Sequence, residues 1–321
     1  MRAQNNLLQS PRFFSPDEAI WRIDRELILL AAGGRALLMQ LAHPKIAAGV
    51  AQHSRFKAAP LARLQRTMTT MWSIVFDDGP VAAAALARLK SIHRQVRGRV
   101  RLDEARFIDP NYEALDPTLL LWVHATLIDS ALAAYELFVE ALTLEEKRLY
   151  YEDSKRLAWL FEIPETLVPA TLPEFDGYVH ATLVSGEARV GFTARNLAAE
   201  ILHPRSWLLR PLGPLFRLIT AGLLPQGLRQ GYGLDWSPSK EKILRLFAGG
   251  VRSALPLMPA PLRIVPNARR AEKQLSAGRS FQSHQALVPA VSRGKFECKG
   301  TCVTAEDPPL DHGSVRRVGR N

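Results

Sequence analysis

Apolar residues recur along this chain at three- and four-residue steps, the spacing of one helix face, and hardly ever alternate as a half-buried strand would. The spacing predicts an all-α fold. Ser15-Pro16-Asp17-Glu18 reads as a capping box with proline at the first helical position, followed by a stripe of Ile20, Ile23, Leu27 and Leu30. Gly33-Gly34 is expected to stop or bend that helix, and His43-Pro44 to break the short one after it. Further helices are expected from Pro44 to about Gln52, from Pro60 to about Phe76, and from Pro80 to near Gly98. Residues 99–115 read as a loop. Asp116-Pro117 caps a long helix to about Leu142, and Thr143-Leu144-Glu145-Glu146 opens another through about Phe161.

Beyond Pro164, Pro169 and Pro173, helices are expected near 174–185, 187–200 and 239–254. Trp207 to Leu224 is apolar but carries Arg210, Arg217, Pro211 and Pro214, so it reads as a packed or interfacial hairpin rather than a membrane span. From about Gln274 the periodicity gives way to Ser, Gly, Pro and charge. The expected organisation is an N-terminal extension over 1–14, one globular multi-helix domain over 15–273, and a disordered basic tail over 274–321.

Composition changes this picture little. The chain has 321 residues and a net charge of +11. Its segment from Arg263 to Asn321 holds 11 Lys/Arg against 5 Asp/Glu, more than half of the excess. Basic balance suits nucleic acid or an anionic membrane, but no nucleic-acid motif accompanies it, so no nucleic-acid partner is expected. The two cysteines, Cys298 and Cys302, leave the body without a disulfide framework and lack partners for a zinc site. The first residues lack the apolar core of a secretory signal, and the expected address is cytoplasmic, with peripheral contact at the inner membrane surface as its variant.

Candidate chemistry sits on two helices. On the 60–76 helix, Leu61, Leu64, Met68, Met71 and Val75 share one side, and Arg63, Arg66, Thr67 and Thr70 share the other. That polar face is either solvated or a pocket wall offering cations and a hydroxyl. On the 80–97 helix, Leu86, Leu89, His93 and Val96 make one stripe, so His93 stands in an apolar face as a core histidine, a general base or a metal ligand. His124, among Leu120, Leu127 and Ala131, carries the same ambiguity, whereas His43 before proline reads as a capping residue. Metalloprotease, serine-hydrolase and P-loop signatures are missing.

Six strings, taken together, resemble the catalytic domain shared by latex-clearing proteins (rubber oxygenases) and the MpaB-type oxygenases of fungal meroterpenoid pathways. They run from Ala32 to Pro44, Gly49 to Ser54, Arg63 to Thr67, Ile92 to Gly98, Ala114 to Thr126, and Leu228 to Trp236, and their span covers about two thirds of the chain. The resemblance implies an all-helical fold with a globin-like core and, as in the rubber-cleaving members, haem b. It implies His93 as the proximal iron ligand, with Arg63, Arg66 and Thr67 on the polar distal helix. Two positions depart from the rubber enzymes. Arg66 stands where they carry a lysine, and guanidinium is a poor iron ligand. The stretch from Ile46 to Val50, which matches the place of their glutamate base, holds no carboxylate.

The expected activity is therefore haem-dependent oxygenation, with O2, of an apolar isoprenoid or lipid-like small molecule other than polyisoprene. The rival is a helical binding or membrane-peripheral protein that kept the fold without the chemistry. A weaker third reading gathers His43, His93 and His124 into a non-haem iron site.

Overall fold

Asp116 and Pro117 start the helix on which the domain is assembled. In a computed structural model, which describes residues 11–53, 60–101, 104, 109–203 and 211–287, the Asp116 carboxylate accepts the backbone N–H of Thr118 at 2.9 Å. The helix that follows, Pro117–Phe138, is apolar nearly all round and buries Trp122, Ala125, Ile128 and Tyr135 among others. Numbered in chain order it is α6.

The helices before it are α1 (Ala19–Asp24), α2 (Gly33–Ala42), α3 (Pro44–His53), α4 (Pro60–Phe76) and α5 (Gly79–His93). After it come α7 (Leu144–Leu160), α8 (Leu172–Val184), α9 (Phe192–Leu202), α10 (Gly213–Leu223) and α11 (Gln226–Gly231). The last are α12 (Pro238–Ala254), α13 (Ala260–Arg263) and α14 (Pro266–Leu287). Around α6 pack α2, α7, α12 and the 3-10 turn Leu27–Ala32, with smaller contacts from α1, α8 and α10. The all-α expectation holds. The main core gathers Trp21, Phe76, Trp122, Tyr151 and Phe175, with the Trp21 and Phe76 rings edge-on at 4.9 Å.

Among the described residues α6 is the one unbroken helix long and apolar enough to cross a membrane, and most of its apolar window is buried in the domain. That burial is what a core helix shows.

Local signals set several boundaries as expected. Thr143 and Glu146 form the reciprocal capping box, each side chain meeting the other's backbone N–H, at 3.2 and 2.9 Å. Glu18 likewise reaches back to the backbone N–H of Ser15 at 2.8 Å, although the α-helix proper begins only at Ala19.

Other boundaries differ, and tertiary contacts explain them. The Gly33-Gly34 pair opens α2 instead of ending the first helix, because α10 crosses there: a Cβ on Gly34 would stand 2.1 Å from Thr220 Oγ1. The 80–98 helix ends at His93, and the chain pairs β1 (Arg97–Arg99) antiparallel with β2 (Asn111–Glu113), Gly98 facing Tyr112. Glycine is required at that crossing, since a Cβ would lie 2.7 Å from Tyr112 Oη. Val96 thus follows the helix rather than extending its stripe.

At the N-terminus, Phe13 and Phe14 are buried in the core, and the Arg12 guanidinium joins Phe76 O and Asp78, so residues 11–14 belong to the packed body. At the other end α14 carries regular backbone past Gln274 to Leu287. The chain divides after Ala277 into the helical domain and a second unit, Gly278–Asn321. Cys298 and Cys302 lie outside the described residues.

One cation ties the central layer together. Arg35, on α2, is buried, and its guanidinium donates to Asp129 Oδ2 at 2.5 Å, Ser130 Oγ at 2.7 Å and the carbonyl of Leu223 at 2.8 Å. Three helices therefore meet on one side chain. Removing it strands the buried Ser130 hydroxyl, the Leu223 carbonyl and the Asp129 carboxylate, a class of change that costs about 3–5 kcal/mol. Arg35→Met is expected to lower the free energy of unfolding by that order in urea titrations. A loss under about 1 kcal/mol would contradict the strut.

Candidate functional site

A two-residue turn, Asp77-Asp78, joins α4 to α5, and these two helices pack against one another more extensively than any other described pair. They form an antiparallel hairpin. Counting back from the turn, Arg63 is 13 residues from Phe76 and His93 is 14 residues from Gly79, about 20 Å along each helix at 1.5 Å per residue. The sequence thus brings residue 63 and residue 93 to the same free end of the hairpin. The closed end is fixed by burial of Ile74, Val75 and Phe76 and by Asp77, whose carboxylate accepts from Ser73 Oγ at 2.7 Å and Asn267 Nδ2 at 2.8 Å.

His93 is the last residue of α5 and is half-buried. Burial holds its pKa below the usual imidazole value, so the neutral ring with a free lone pair is the prevailing form near neutral pH. Its side chain makes no hydrogen bond to another described residue. It lines a hollow of about 180 Å³ with Val96, Arg97, Glu113 and Leu115. Leu86, two turns earlier on α5, is buried beneath it, and Leu89 is half-buried.

Of the expected distal group, Arg63 and Arg66 lie on α4, but their side chains fall outside the described residues. Thr67 is exposed, and Thr70, one turn on, is half-buried with a partner.

The other histidines divide clearly. His43 caps the end of α2 and accepts the backbone N–H of Lys45 through Nδ1 at 3.3 Å, the structural role expected of it. Burial first, then the Lys45 charge, lowers its pKa to about 4, so its 3.7 Å approach to Glu187 is not an ion pair at neutral pH. His53 is exposed and donates through Nε2 to Arg97 O at 2.9 Å. His124 is fully enclosed on α6; burial alone lowers its pKa to about 4, and its Nε2 has no hydrogen-bond partner. Orphaned buried nitrogens are uncommon in folded proteins. Among the described residues no three His, Cys, Asp or Glu side chains gather to hold a metal ion, so the structure does not bring His43, His93 and His124 together.

Arg35 and Asp24 are among the interior polar groups that the sequence does not mark. Arg35 was visible only as part of a glycine-arginine string, with nothing to mark it as buried. Asp24 accepts from Tyr150 Oη at 2.9 Å, and burial pushes its pKa up to about 7. Its spacing within α1 carries no sign of that.

Residues 21–253 match the family described as ER-bound oxygenase mpaB/B'/rubber oxygenase, catalytic domain. The match covers well over half of the chain, which therefore belongs to that family. Two mycobacterial relatives are similar to it. The uncharacterized protein Mb2261 of Mycobacterium bovis and the uncharacterized protein Rv2237 of Mycobacterium tuberculosis are each 28% identical over 232 residues, 70% of this chain and 87% of theirs. No solved structure matches the chain.

The family implies haem, and the donor chemistry here fits one. A porphyrin supplies four nitrogens, so the protein need offer only an axial donor, and an unbonded neutral imidazole is the commonest. The hollow beside His93 alone is smaller than the usual 300–1,000 Å³ ligand pocket, roughly. Its fit is that of a donor, not of a preformed cradle.

The two enclosed histidines make the domain acid-sensitive. Each has a folded pKa near 4 against an unfolded value near 6.5, so the unfolded chain binds the extra proton. Stability is complete above pH 6.5 and is lost as pH falls toward 4. The difference between His124→Leu and the parent should shift by up to about 3 kcal/mol across that window, in the variant's favour at the acid end. Parallel pH curves would show that His124 is not held neutral.

Proposed function

We propose that this protein is a haem-dependent oxygenase acting, with O2, on an apolar isoprenoid or lipid-like small molecule. The observation that carries the proposal is His93. It is a neutral, half-buried imidazole without a hydrogen-bond partner among the described residues, at the free end of the α4–α5 hairpin, in a chain of this oxygenase family. On this reading the helices around α6 form the globin-like core that the family resemblance implies. When bound, the haem supplies the redox chemistry with O2.

Each of the chain's own residues has a distinct part. His93 would hold the iron through its imidazole lone pair, and burial keeps that lone pair unprotonated near neutral pH. Arg63 and Arg66 would bring fixed positive charge from α4, available to a carboxylate of the group or to O2. A guanidinium keeps its proton, so Arg66 would not itself serve as a ligand to the iron. Thr67 would offer a hydroxyl to orient O2. With no carboxylate between Ile46 and Val50, the chain lacks the base that the rubber enzymes place there, which supports a substrate other than polyisoprene.

The exposure of Thr67 favours a second reading, in which this face of α4 is solvated and the fold serves binding without chemistry. A visible spectrum separates the two. The purified, haem-supplemented protein is expected to show an intense Soret band. A protein that takes up no haem sinks the oxygenase reading.

His93→Ala is expected to fold with little bound haem, while His124→Ala retains most of it. Equal haem content with unchanged spectra in both variants would overturn the ligand assignment.

The distal face has its own test. Arg66→Lys introduces an amine that deprotonates readily on burial, so a low-spin ferric component should appear and strengthen as pH rises. Thr67→Val should change cyanide binding without lowering haem content. If both are silent, with stability within about 0.5 kcal/mol of the parent, the face is solvated.

A further inference from the structure

We propose that the outer face of α12, together with the 3-10 turn Leu255–Leu257 and α13, docks on an anionic lipid bilayer. This rests on the surface of the domain alone and stands whether or not the protein carries haem.

Helix α12 buries only Leu244 and Ala248. Phe247, on the same side, sits edge-on to Phe138 of α6 at 6.1 Å, which fixes the inner face of the helix. The outer face carries Ile243 and Leu246, with Gly250 and Ala254 following at helical spacing, and all four are exposed. Leu257, in the turn that continues from the helix end, is 86% exposed, more than any other large apolar side chain described. Leu262 on α13 is exposed as well. Elsewhere exposed apolar side chains are spread along the chain; here four fall within 20 residues. Such a cluster on a soluble surface marks an interaction site.

Charge selects the occupant. Residues 238–270 hold seven Lys/Arg and a single acidic residue, Glu241. That glutamate is already engaged by Arg245 at 2.7 Å, one helical turn away. Arg263 is paired with the buried Glu26 carboxylate of the body at 2.9 Å, so the segment leaves a local excess of +5 on the same stretch that displays the leucines.

A second copy meeting the same face would set like charge against like, which a two-fold interface cannot avoid. Nucleic acid would leave the aliphatic side chains unused, since strand binding relies on aromatic platforms for the bases. An anionic bilayer uses both features. Leu246, Leu257 and Leu262 enter the boundary between headgroups and acyl chains, and Lys242 and its cationic neighbours lie among the headgroup phosphates. The face is short and interrupted by proline, which suits lying on a surface and rules out spanning it.

Full-length protein is to be floated with vesicles of phosphatidylcholine alone and of phosphatidylcholine containing phosphatidylglycerol. Binding is expected to the anionic vesicles, with little to the neutral ones, and to weaken at high salt. Leu246→Glu combined with Leu257→Glu should lower the partition coefficient by at least about tenfold. Leu144→Glu, equally exposed at the first turn of α7 and outside the patch, should leave it unchanged. Thermal melts of both variants should match the parent, since neither change touches a buried contact.

Anionic binding that survives the double substitution would overturn the proposal by moving the contact elsewhere, the basic segment after Ala277 included. So would a parent protein that is dimeric by light scattering and becomes monomeric on the double substitution, which would make a second copy the occupant. Failure of haem uptake leaves this result untouched, so the two readings fail separately.

Discussion

A buried guanidinium needs an acceptor at each of its nitrogens, and Arg35 meets that condition by drawing three helices to one point. Asp129 balances its charge, Ser130 takes a second donor, and the carbonyl of Leu223 at the end of α10 takes a third. The close approach of α10 to α2, which leaves no room for a Cβ at Gly34, is the steric counterpart of the same contact. Because α6 carries two of the partners, the geometry of the central helix is set relative to both neighbours at once. Apolar packing supplies most of the driving force for burial, yet it would accept small slips of one helix along another. Directional bonds to Arg35 do not.

From that frame the candidate site follows by connection. Phe76 and the Asp77 carboxylate pin the closed end of the α4–α5 hairpin into the core, the latter through Ser73 and Asn267. The free end is where residues 63 and 93 come level. At that end His93 is only partly buried, whereas His43 and His124 are enclosed in the body. A histidine destined for a structural role finds a partner, as His43 does with the Lys45 N–H. Among the described residues His93 and His124 have none, and they differ in access: His93 lines a hollow and His124 is enclosed in the interior. An unsatisfied nitrogen beside open volume is poised for a ligand. The same atom in a sealed interior is a cost to the fold that some other constraint on α6 must offset.

How much of this was legible in the sequence depended on the range of the forces involved. The Thr143 capping box, the Asp116-Pro117 start and the all-α class are written in neighbouring residues, and each was readable from them. The end of α5 was not. Nothing within Ser91 to Gly98 says that residues 97–99 will pair with 111–113, because that choice is made by Tyr112 and Gln52 across the chain. The extension of α14 beyond Gln274 lacks an apolar stripe and so gave no periodic signal. Phe13 and Phe14 were too few to show a period, although two adjacent phenylalanines are more at home in a core than in an extension. For the site, His93 was picked out by its apolar stripe, but its preference over His124 came from the family resemblance. Spacing on a wheel cannot tell a sealed face from an accessible one.

The two departures from the rubber enzymes bear on the reaction in the same direction. A lysine can give up its proton and offer a lone pair to iron, and Arg66 cannot, so on the proposed reading the chain would supply no such ligand at that position. A carboxylate base allows proton abstraction from the substrate, and the segment from Ile46 to Val50 offers only Ile, Ala, Gly and Val. On the proposed reading, a site with Arg63 and Arg66 as fixed cations and no base in that segment would suit stabilising negative charge on O2, and would suit deprotonating a hydrocarbon poorly. Substrate choice would then rest on which apolar molecule fits beside Thr67, rather than on an acid–base group reaching toward it.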